Sequence, residues 1–254
     1  MQNALHRFGT VINNSRKFLR VDCLNDLLYP RICPGCGQHS DRPGRFLCWS
    51  CFSTVELLDK GLCDICGNPL AGDPQARFLC DYCRTRKPAF DRARSAARFN
   101  GVVRDMLHSF KYKNALWLAE DISDIMYGAL TVWFDVKQID VVVPVPLFRT
   151  RQRERSYNQA RVLADILARR LDRRLDEYSL RRIRATETQT HYNSAQRRTN
   201  IRGAFKVTRP RWVKGRKVLL VDDVMTTGAT LNACAKELKD SGARQILAIS
   251  AARR

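Results

Sequence analysis

The chain has 254 residues, with 45 Lys and Arg against 25 Asp and Glu and a formal net charge of +20. That length allows one sizeable α/β core plus a small accessory module. A surplus of positive charge favours phosphates or nucleic acid as ligands. No apolar run approaches the ~20 residues of a membrane-spanning helix, so we expect a cytoplasmic protein without a transmembrane segment.

Residues 1–25 are expected to form an N-terminal extension. The first 20 residues are basic and weakly amphipathic, and they lack the apolar core of a signal peptide. The sequence favours a poorly ordered tail here and leaves a transit-like or membrane-touching segment as the alternative.

Eight of the ten cysteines form four pairs, each with two intervening residues. A Cys-x-x-Cys turn aims two thiolates at one point, and two such turns build the four-sulfur cage that zinc prefers. Four pairs therefore predict two structural zinc ions in a double zinc ribbon over residues 26–88. The expected ligands are Cys33, Cys36, Cys48, Cys51, Cys63, Cys66, Cys80 and Cys83.

The spacing leaves two pairings open, one between sequential neighbours and one cross-braced. A disulfide scaffold is the competing interpretation, and it would need an oxidising compartment. Cys23 and Cys234 stand apart from the pairs. We expect Cys234 to pack as a small apolar side chain.

In residues 89–254 the sequence predicts a second domain, with a core separate from that of the zinc ribbon, in which strands and helices alternate. Residues 87–99 indicate a linker and then a strand, and helical spacing follows on both sides of Lys111 and Lys113. Residues 139–147 form an apolar run with two prolines, typical of a buried strand leaving the sheet. A basic loop comes next, and an amphipathic helix follows it.

The last part of the chain completes the alternation. Residues 181–202 are polar and basic and favour a lid over a regular element. Three elements follow, namely a strand over 217–223, a helix that ends at Gly242 and a final strand. The pattern predicts a doubly wound, mostly parallel sheet whose ligands bind beyond the carboxyl ends of the strands.

The stretch LLVDDVMTTGATL, residues 219–231, places two acids and a hydroxyl-rich turn at such an end. Adjacent carboxylates are costly to bury unless cations or hydroxyl donors satisfy them. Backbone N–H groups, hydroxyls and the positive end of the following helix dipole would hold a phosphate. Asp222 and Asp223 would then face sugar hydroxyls, and a ribose 5-phosphate needs both features. The phosphate loop comprises Thr226, Thr227, Gly228, Ala229 and Thr230.

This stretch resembles the phosphoribosyl pyrophosphate (PRPP) motif of type I phosphoribosyltransferases. Residues 33–252 more narrowly resemble the ComF/GntX family, in which a double zinc ribbon precedes a phosphoribosyltransferase domain. VVVPVPL, RERSYNQA, LHSFKYKN and ATETQTHYNSAQRRTNIRGAF carry that resemblance. The chain departs from the family pattern at Ser156, where glycine is usual, and at Tyr157, where phenylalanine is usual.

The resemblance implies that PRPP binds through Mg²⁺, that the two acids hold the ribose, and that pyrophosphate leaves as positive charge develops at C1. Lys111 and Lys113 resemble a basic pair that contacts phosphate or DNA, and a plain helix end is the alternative. The candidates for pyrophosphate contact are Arg155, Asn158, Gln159, Gln189, Arg197 and Arg198.

The acceptor of the phosphoribosyl group stays open at this point. The family is associated with natural competence and the use of imported DNA, which agrees with 20 Lys and Arg against 6 Asp and Glu in residues 145–216. Two hypotheses follow. One is a Mg²⁺-dependent phosphoribosyltransferase. The other is a competence factor that binds single-stranded DNA and DNA-uptake proteins and uses PRPP as an allosteric ligand without turnover.

Overall fold

A five-stranded parallel sheet forms the centre of the protein. The computed structural model describes residues 30–70, 78–148, 156–185 and 201–254. The strand order across the sheet is β1-β7-β6-β2-β3. The strands of this sheet are β1 (Arg92–Arg98), β2 (Val141–Pro144), β3 (Arg174–Leu175), β6 (Lys217–Met225) and β7 (Gln245–Arg253).

Helices cover both faces of the sheet, because the central strands are apolar on both sides. Leu219 and Val221 pack on one face with the helices Ala119–Trp133 and Gln159–Leu171, whereas Leu220 packs on the other face with the helix Ala229–Asp240. The alternation confirms the predicted doubly wound α/β fold. The helices are α1 (Trp49–Ser53), α2 (Asp81–Thr85), α3 (Gly101–Tyr112), α4 (Ala119–Trp133), α5 (Gln159–Leu171) and α6 (Ala229–Asp240).

The segment predicted as a lid begins with a regular element. β4 (Leu180–Arg182) pairs antiparallel with β5 (Phe205–Val207) in a second, two-stranded sheet. A three-residue strand is too short to produce a recognisable hydrophobic period, so the sequence pattern missed it. Residues 186–200 of the predicted lid lie outside the described residues.

The cysteine-rich module and the α/β domain share their apolar cores. Cys33 and Leu47 pack into the cluster under α4 and α5, and Cys63 and Cys83 join the cluster under α6. The main chain also bridges the two parts, at Leu57 against Ala97. The sequence alone suggested separate cores. That expectation is wrong, because the metal-binding turns supply apolar surface to the larger domain.

A buried ion cluster fixes the first half of the module to α4. Arg42 Nη1 donates to Asp121 Oδ1 at 3.2 Å, and Arg42 Nη2 donates to Asp124 Oδ2 at 3.1 Å. The backbone N–H groups of Phe46 and Leu47 also donate to Asp121, whose side chain has no exposed surface. Fully satisfied charges of this kind fix a unique contact.

None of the helices in the described ranges combines the length and the apolar character that a membrane crossing requires.

Candidate functional site

Two four-cysteine clusters lie in the amino-terminal module, and their pairing is sequential. The sulfur atoms of each cluster all lie within 4.8 Å of one another, which fits one tetrahedral zinc ion per cluster. Burial raises the pKa of the Cys63 thiol, but N–H groups of Cys66, Cys80 and Ile65 outweigh burial and lower the pKa to about 7. The clusters are Cys33, Cys36, Cys48 and Cys51, and then Cys63, Cys66, Cys80 and Cys83.

Purified protein is expected to contain about two zinc ions per chain, because each cluster provides one complete set of thiolates. Cys36→Ser should remove one ion, since Cys36 is exposed and its replacement does not disturb the core. Cys234→Ala should keep both ions. Elemental analysis of the three proteins tests this, and a folded wild-type sample without zinc would contradict the assignment.

The two acids lie at the carboxyl end of β6, where the sequence predicted them. The backbone N–H of Asp223 donates to Asp222 Oδ1 at 2.9 Å. Burial and the neighbouring carboxylate of Asp223 raise the pKa of Asp222 to about 7. The pair is therefore poised to release a proton when a cation or a hydroxyl donor arrives.

Lys111, at the end of α3, points at the acid pair. Its Nζ lies 3.1 Å from Asp223 Oδ2, and both side chains are largely buried. This position places Lys111 in the candidate site, whereas Lys113 is exposed beyond the helix. A lysine between the two acids and solvent can balance their charge and meet an incoming phosphate.

The phosphate loop joins β6 to α6 as predicted. Gly228 adopts φ +75°, a left-handed conformation that side chains rarely take, and a Cβ at this position would lie 2.7 Å from Met225 Cε. Thr227 Oγ1 accepts a weak hydrogen bond from Ala229 N–H at 3.4 Å. The N–H groups that begin α6 thus lie beside threonine hydroxyls, an arrangement suited to a phosphate.

The loop before α5 explains the departures from the family pattern. Ser156 adopts φ +61°, in the region that favours the glycine usual at this position. The Tyr157 ring packs on Phe110 with centroids 5.5 Å apart, and its hydroxyl donates to the Phe110 carbonyl. Tyrosine therefore ties this loop to the helix that carries Lys111, which phenylalanine could not do by hydrogen bonding.

The other residues predicted to contact pyrophosphate either stabilise the start of α5 or lie outside the described residues. Asn158 caps α5, with Oδ1 accepting from Ala160 N–H and Nδ2 donating to the Val145 carbonyl. Gln159 is buried in the first turn of that helix. For Asn158 and Gln159, contact with pyrophosphate stays a prediction. Outside the described residues lie Arg155, Gln189, Arg197 and Arg198.

Sequence reasoning missed two arginines near the acids and the phosphate loop. The charge of Arg182, on β4, acts to lower the pKa of Asp222. Arg253, at the end of β7, lies beside Met225 of β6 in the parallel register. Neither residue belongs to a motif, and only the folded sheet brings them to the site.

Comparisons with known proteins agree with the two-part architecture. A phosphoribosyl transferase domain model matches residues 158–254, and a double zinc ribbon domain model matches residues 24–87. Competence protein F of Haemophilus influenzae is 28% identical over 215 residues, which cover 79% of this chain and 94% of the relative. The chain therefore combines a double zinc ribbon with a phosphoribosyl transferase domain, the arrangement that the resemblance to the ComF/GntX family implied.

Two further proteins are similar to this chain. Competence protein ComFC of Bacillus subtilis is 27% identical over 204 residues, 79% of this chain and 81% of the relative. A purine phosphoribosyltransferase structure from Pyrococcus horikoshii aligns with 54% of this chain and 83% of its own, at 18% identity and a TM-score of 0.33.

Proposed function

We propose that this protein binds PRPP with Mg²⁺ and transfers its phosphoribosyl group to an acceptor. The observation that carries the proposal is the succession of Asp222, Asp223 and the phosphate loop at the carboxyl end of β6. Carboxylates suit the two sugar hydroxyls, and the start of α6 suits the 5-phosphate.

Hard oxygen ligands of this kind also fit Mg²⁺. The carboxylates of Asp222 and Asp223 would hold the ion directly or through water. When bound, Mg²⁺ neutralises charge on the departing pyrophosphate. With a cation in place, Asp222 would be held as the charged carboxylate, because a neighbouring positive charge favours that form.

The chain's own residues then position the sugar and the leaving group. The N–H groups and hydroxyls from Thr226 to Thr230 hold the 5-phosphate, and the acid pair fixes the ribose. Lys111 moves its charge from Asp223 toward pyrophosphate as that group departs. A bond forms from the acceptor to C1 as the C1–O bond breaks, and pyrophosphate takes the electron pair.

Release of pyrophosphate tests turnover directly. Zinc-loaded protein is incubated with PRPP, Mg²⁺ and either candidate bases or single-stranded DNA, and pyrophosphate is measured. Release that depends on one acceptor supports phosphoribosyl transfer. Tight PRPP binding without release under any condition would instead favour the allosteric alternative.

The second candidate function is single-stranded DNA binding with PRPP as an allosteric ligand. The names of the relatives, competence protein and DNA utilization protein, support a link to DNA. Charge within residues 145–216 gives only partial support, because Arg170 pairs with Asp124 and Arg161 pairs with Glu177. Exposed cations remain on β5 and in the segment after it, and they form the basic strip Lys206, Arg209, Arg211 and Lys214.

Single-stranded DNA affinity should fall steeply with salt if the basic strip binds the strand. Four phosphate contacts give a slope of about −3 for log Kobs against log salt, since each contact releases counterions. Fluorescence anisotropy with labelled oligonucleotides at several salt concentrations measures the slope. Lys206→Gln with Arg211→Gln should lower its magnitude by about 1.4, and Arg104→Gln, on α3, serves as the control. A weak interaction that is insensitive to salt would refute a DNA-binding role for the strip.

A further inference from the structure

Arg253, at the end of β7, contacts both the second cysteine cluster and the residue that precedes the phosphate loop. Its Nη1 donates to the Cys66 carbonyl at 2.8 Å and to Met225 Sδ at 3.3 Å. We propose that Arg253 is a positioning residue that links these two sites, so that zinc at the second cluster and a sugar phosphate at the phosphate loop strengthen each other's binding. The inference rests on the proposed function, because it takes the phosphate loop as the site of the 5-phosphate.

The zinc turn, residues 63–66, carries two ligands of the second cluster and is held to the sheet through its backbone carbonyls. Arg94 Nη1 and Nη2 donate to the first and second of these carbonyls at 3.3 and 3.2 Å. The Ala93 N–H donates to the third at 2.7 Å, and Arg253 donates to the fourth. Since every carbonyl of the zinc turn accepts a hydrogen bond from β1 or β7, a change in the shape of the turn acts on these strands.

The two arginines also match the charge of an occupied cluster. Four thiolates outweigh the charge of one Zn²⁺ ion, so the zinc-bound cluster is an anion. Arg94 is buried and Arg253 is half-buried, and both donate to the backbone that carries the ligands. Nearby cations favour an anion most strongly where water is excluded, so the two guanidinium groups stabilise the metal-bound state of the zinc turn.

The zinc turn has two states, one with the metal and one without it. Zinc draws the sulfur atoms of the cluster to a single point, and this binding free energy is part of the folding free energy of a zinc ribbon. Loss of the ion removes that restraint from Cys66, whose carbonyl positions the Arg253 side chain. An element with two states that contacts both sites is the physical basis for coupling between them.

Met225 connects Arg253 to the phosphate loop. The Met225 side chain is buried, and its carbonyl accepts from the Arg254 N–H at 3.0 Å. A Cβ at Gly228 would lie 2.7 Å from Met225 Cε, so the methionine packs directly against the left-handed turn of the loop. Because packed interiors leave little free space, a shift of Met225 would displace this turn and the N–H groups that begin α6.

The first cysteine cluster has a different anchor and provides an internal control. Arg42 Nη1 donates to the Leu47 carbonyl beside the ligand Cys48, and the same atom pairs with Asp121 of α4. α4 packs on the face of the sheet opposite to α6. Zinc at the first cluster should therefore leave the phosphate loop unaffected.

Chelator competition in the full-length Cys36→Ser chain measures the coupling at the second cluster. This substitution should empty the first cluster only, so one zinc ion per chain remains to be followed. We expect saturating ribose 5-phosphate to raise the zinc affinity about tenfold, a typical coupling between two sites. Linkage then requires zinc to raise the affinity for ribose 5-phosphate by the same factor, and calorimetry at high and low buffered zinc measures this reverse effect.

Arg253→Met and Arg173→Met form a matched pair of variants. Both arginines are half-buried and donate to backbone carbonyls, but Arg173 donates to Ile139 at the amino end of the sheet. With both zinc ions bound, Arg253→Met should weaken binding of ribose 5-phosphate about tenfold and remove its effect on zinc affinity. Arg173→Met should change neither. Met225→Leu keeps an apolar side chain of similar volume and should also remove the coupling while zinc stays bound.

Hydrogen exchange provides a readout that needs no ligand. Chelation of zinc from the Cys36→Ser chain should raise the exchange rates of the N–H groups in residues 226–230 about tenfold, since fewer contacts then restrain the loop. β2 reports global unfolding and should keep its protection. Neither this measurement nor the chelator competition changes Arg253, so both decide the proposal even if Arg253→Met fails to fold.

The outcomes separate this link from the proposed function. Binding of ribose 5-phosphate that is insensitive to zinc at the second cluster would overturn the link and leave the proposed function standing. Faster exchange of the loop on loss of zinc, without binding of ribose 5-phosphate or PRPP, would overturn the proposed function and support the link between the zinc turn and the loop. Equal effects of Arg253→Met and Arg173→Met, or loss of protection in β2 as well, would also overturn the link.

Discussion

Asp222→Asn combined with Asp223→Asn is expected to weaken binding of PRPP and Mg²⁺ by about 3–6 kcal/mol. Each acid would lose a charged hydrogen bond or metal contact worth about 1.5–3 kcal/mol, before any coupling between neighbours. Asparagine preserves the shape of each side chain, so the loss reports on charge. Isothermal titration calorimetry measures the difference.

A control variant with the same change in charge makes this prediction specific. Asp105→Asn with Asp240→Asn removes the same number of charges from exposed ion pairs and should leave PRPP affinity unchanged. If the site variant also bound PRPP like the wild type, the acids would serve only to cap and order the following turn.

The stability of the site variant depends on Lys111, because Asp223→Asn leaves this lysine without its carboxylate partner. Repulsion between the adjacent carboxylates would by itself predict no loss of stability, but the contact with Lys111 makes a loss from Asp223→Asn the expected result.

The pH dependence gives an independent readout of Asp222. Its pKa of about 7 in the folded protein exceeds the ~3.9 of an unfolded aspartate. The folded state therefore binds more protons between these values, so this group lowers stability as pH rises from about 4 to about 7. PRPP and Mg²⁺ need the carboxylate, so affinity should fall as pH drops below 7. Asp222→Asn should remove the contribution of this group to both dependences.

Arg42→Ala is expected to destabilise the whole protein by about 3–5 kcal/mol, because it leaves Asp121 buried without its guanidinium partner. The zinc module and the α/β domain share apolar clusters. Unfolding should therefore remain a single transition at a lower denaturant midpoint. Urea denaturation followed by circular dichroism measures the change, with Arg98→Ala, an exposed pair partner of Glu56, as the control.

The destabilisation by Arg42→Ala should also depend on pH. Burial already raises the pKa of Asp121, and removing Arg42 raises it further. A raised pKa in the folded state means that stability is lost as pH rises, so the deficit should be larger at pH 8 than at pH 5. A deficit confined to early unfolding of the zinc module, with a second transition like that of the wild type, would show that the two parts fold independently.

The features formed by residues close together in the chain could be predicted from the sequence. Four Cys-x-x-Cys pairs predicted two metal clusters, and the family comparison identifies the segment as a double zinc ribbon. The strand, acid pair, phosphate loop and helix from residue 217 to 240 were predicted in the correct order. Each of these features depends on residues close together in the chain, where spacing alone fixes geometry.

The short elements and the exact ends of the strands could not be predicted from the sequence. The apolar run over residues 139–147 forms a strand only from Val141 to Pro144. Val145 N–H still donates to the Val221 carbonyl of β6, and the next residue, Pro146, has no N–H with which to continue the ladder. Serine itself does not predict the left-handed backbone of Ser156, and the glycine usual in the family pattern was the only pointer to it, because the surrounding fold holds serine in that conformation.

The sequence by itself determined the doubly wound fold, the two four-cysteine groups and the placement of two acids before a phosphate loop. Only the tertiary structure decided the sequential pairing of the cysteines, the contact of Lys111 with Asp223 and the packing of the zinc ribbon against the α/β core. It also placed Arg253 and Tyr82 across one cleft. These contacts join residues far apart in the chain, and their geometry exists only once the sheet register and the burial of both cores are fixed.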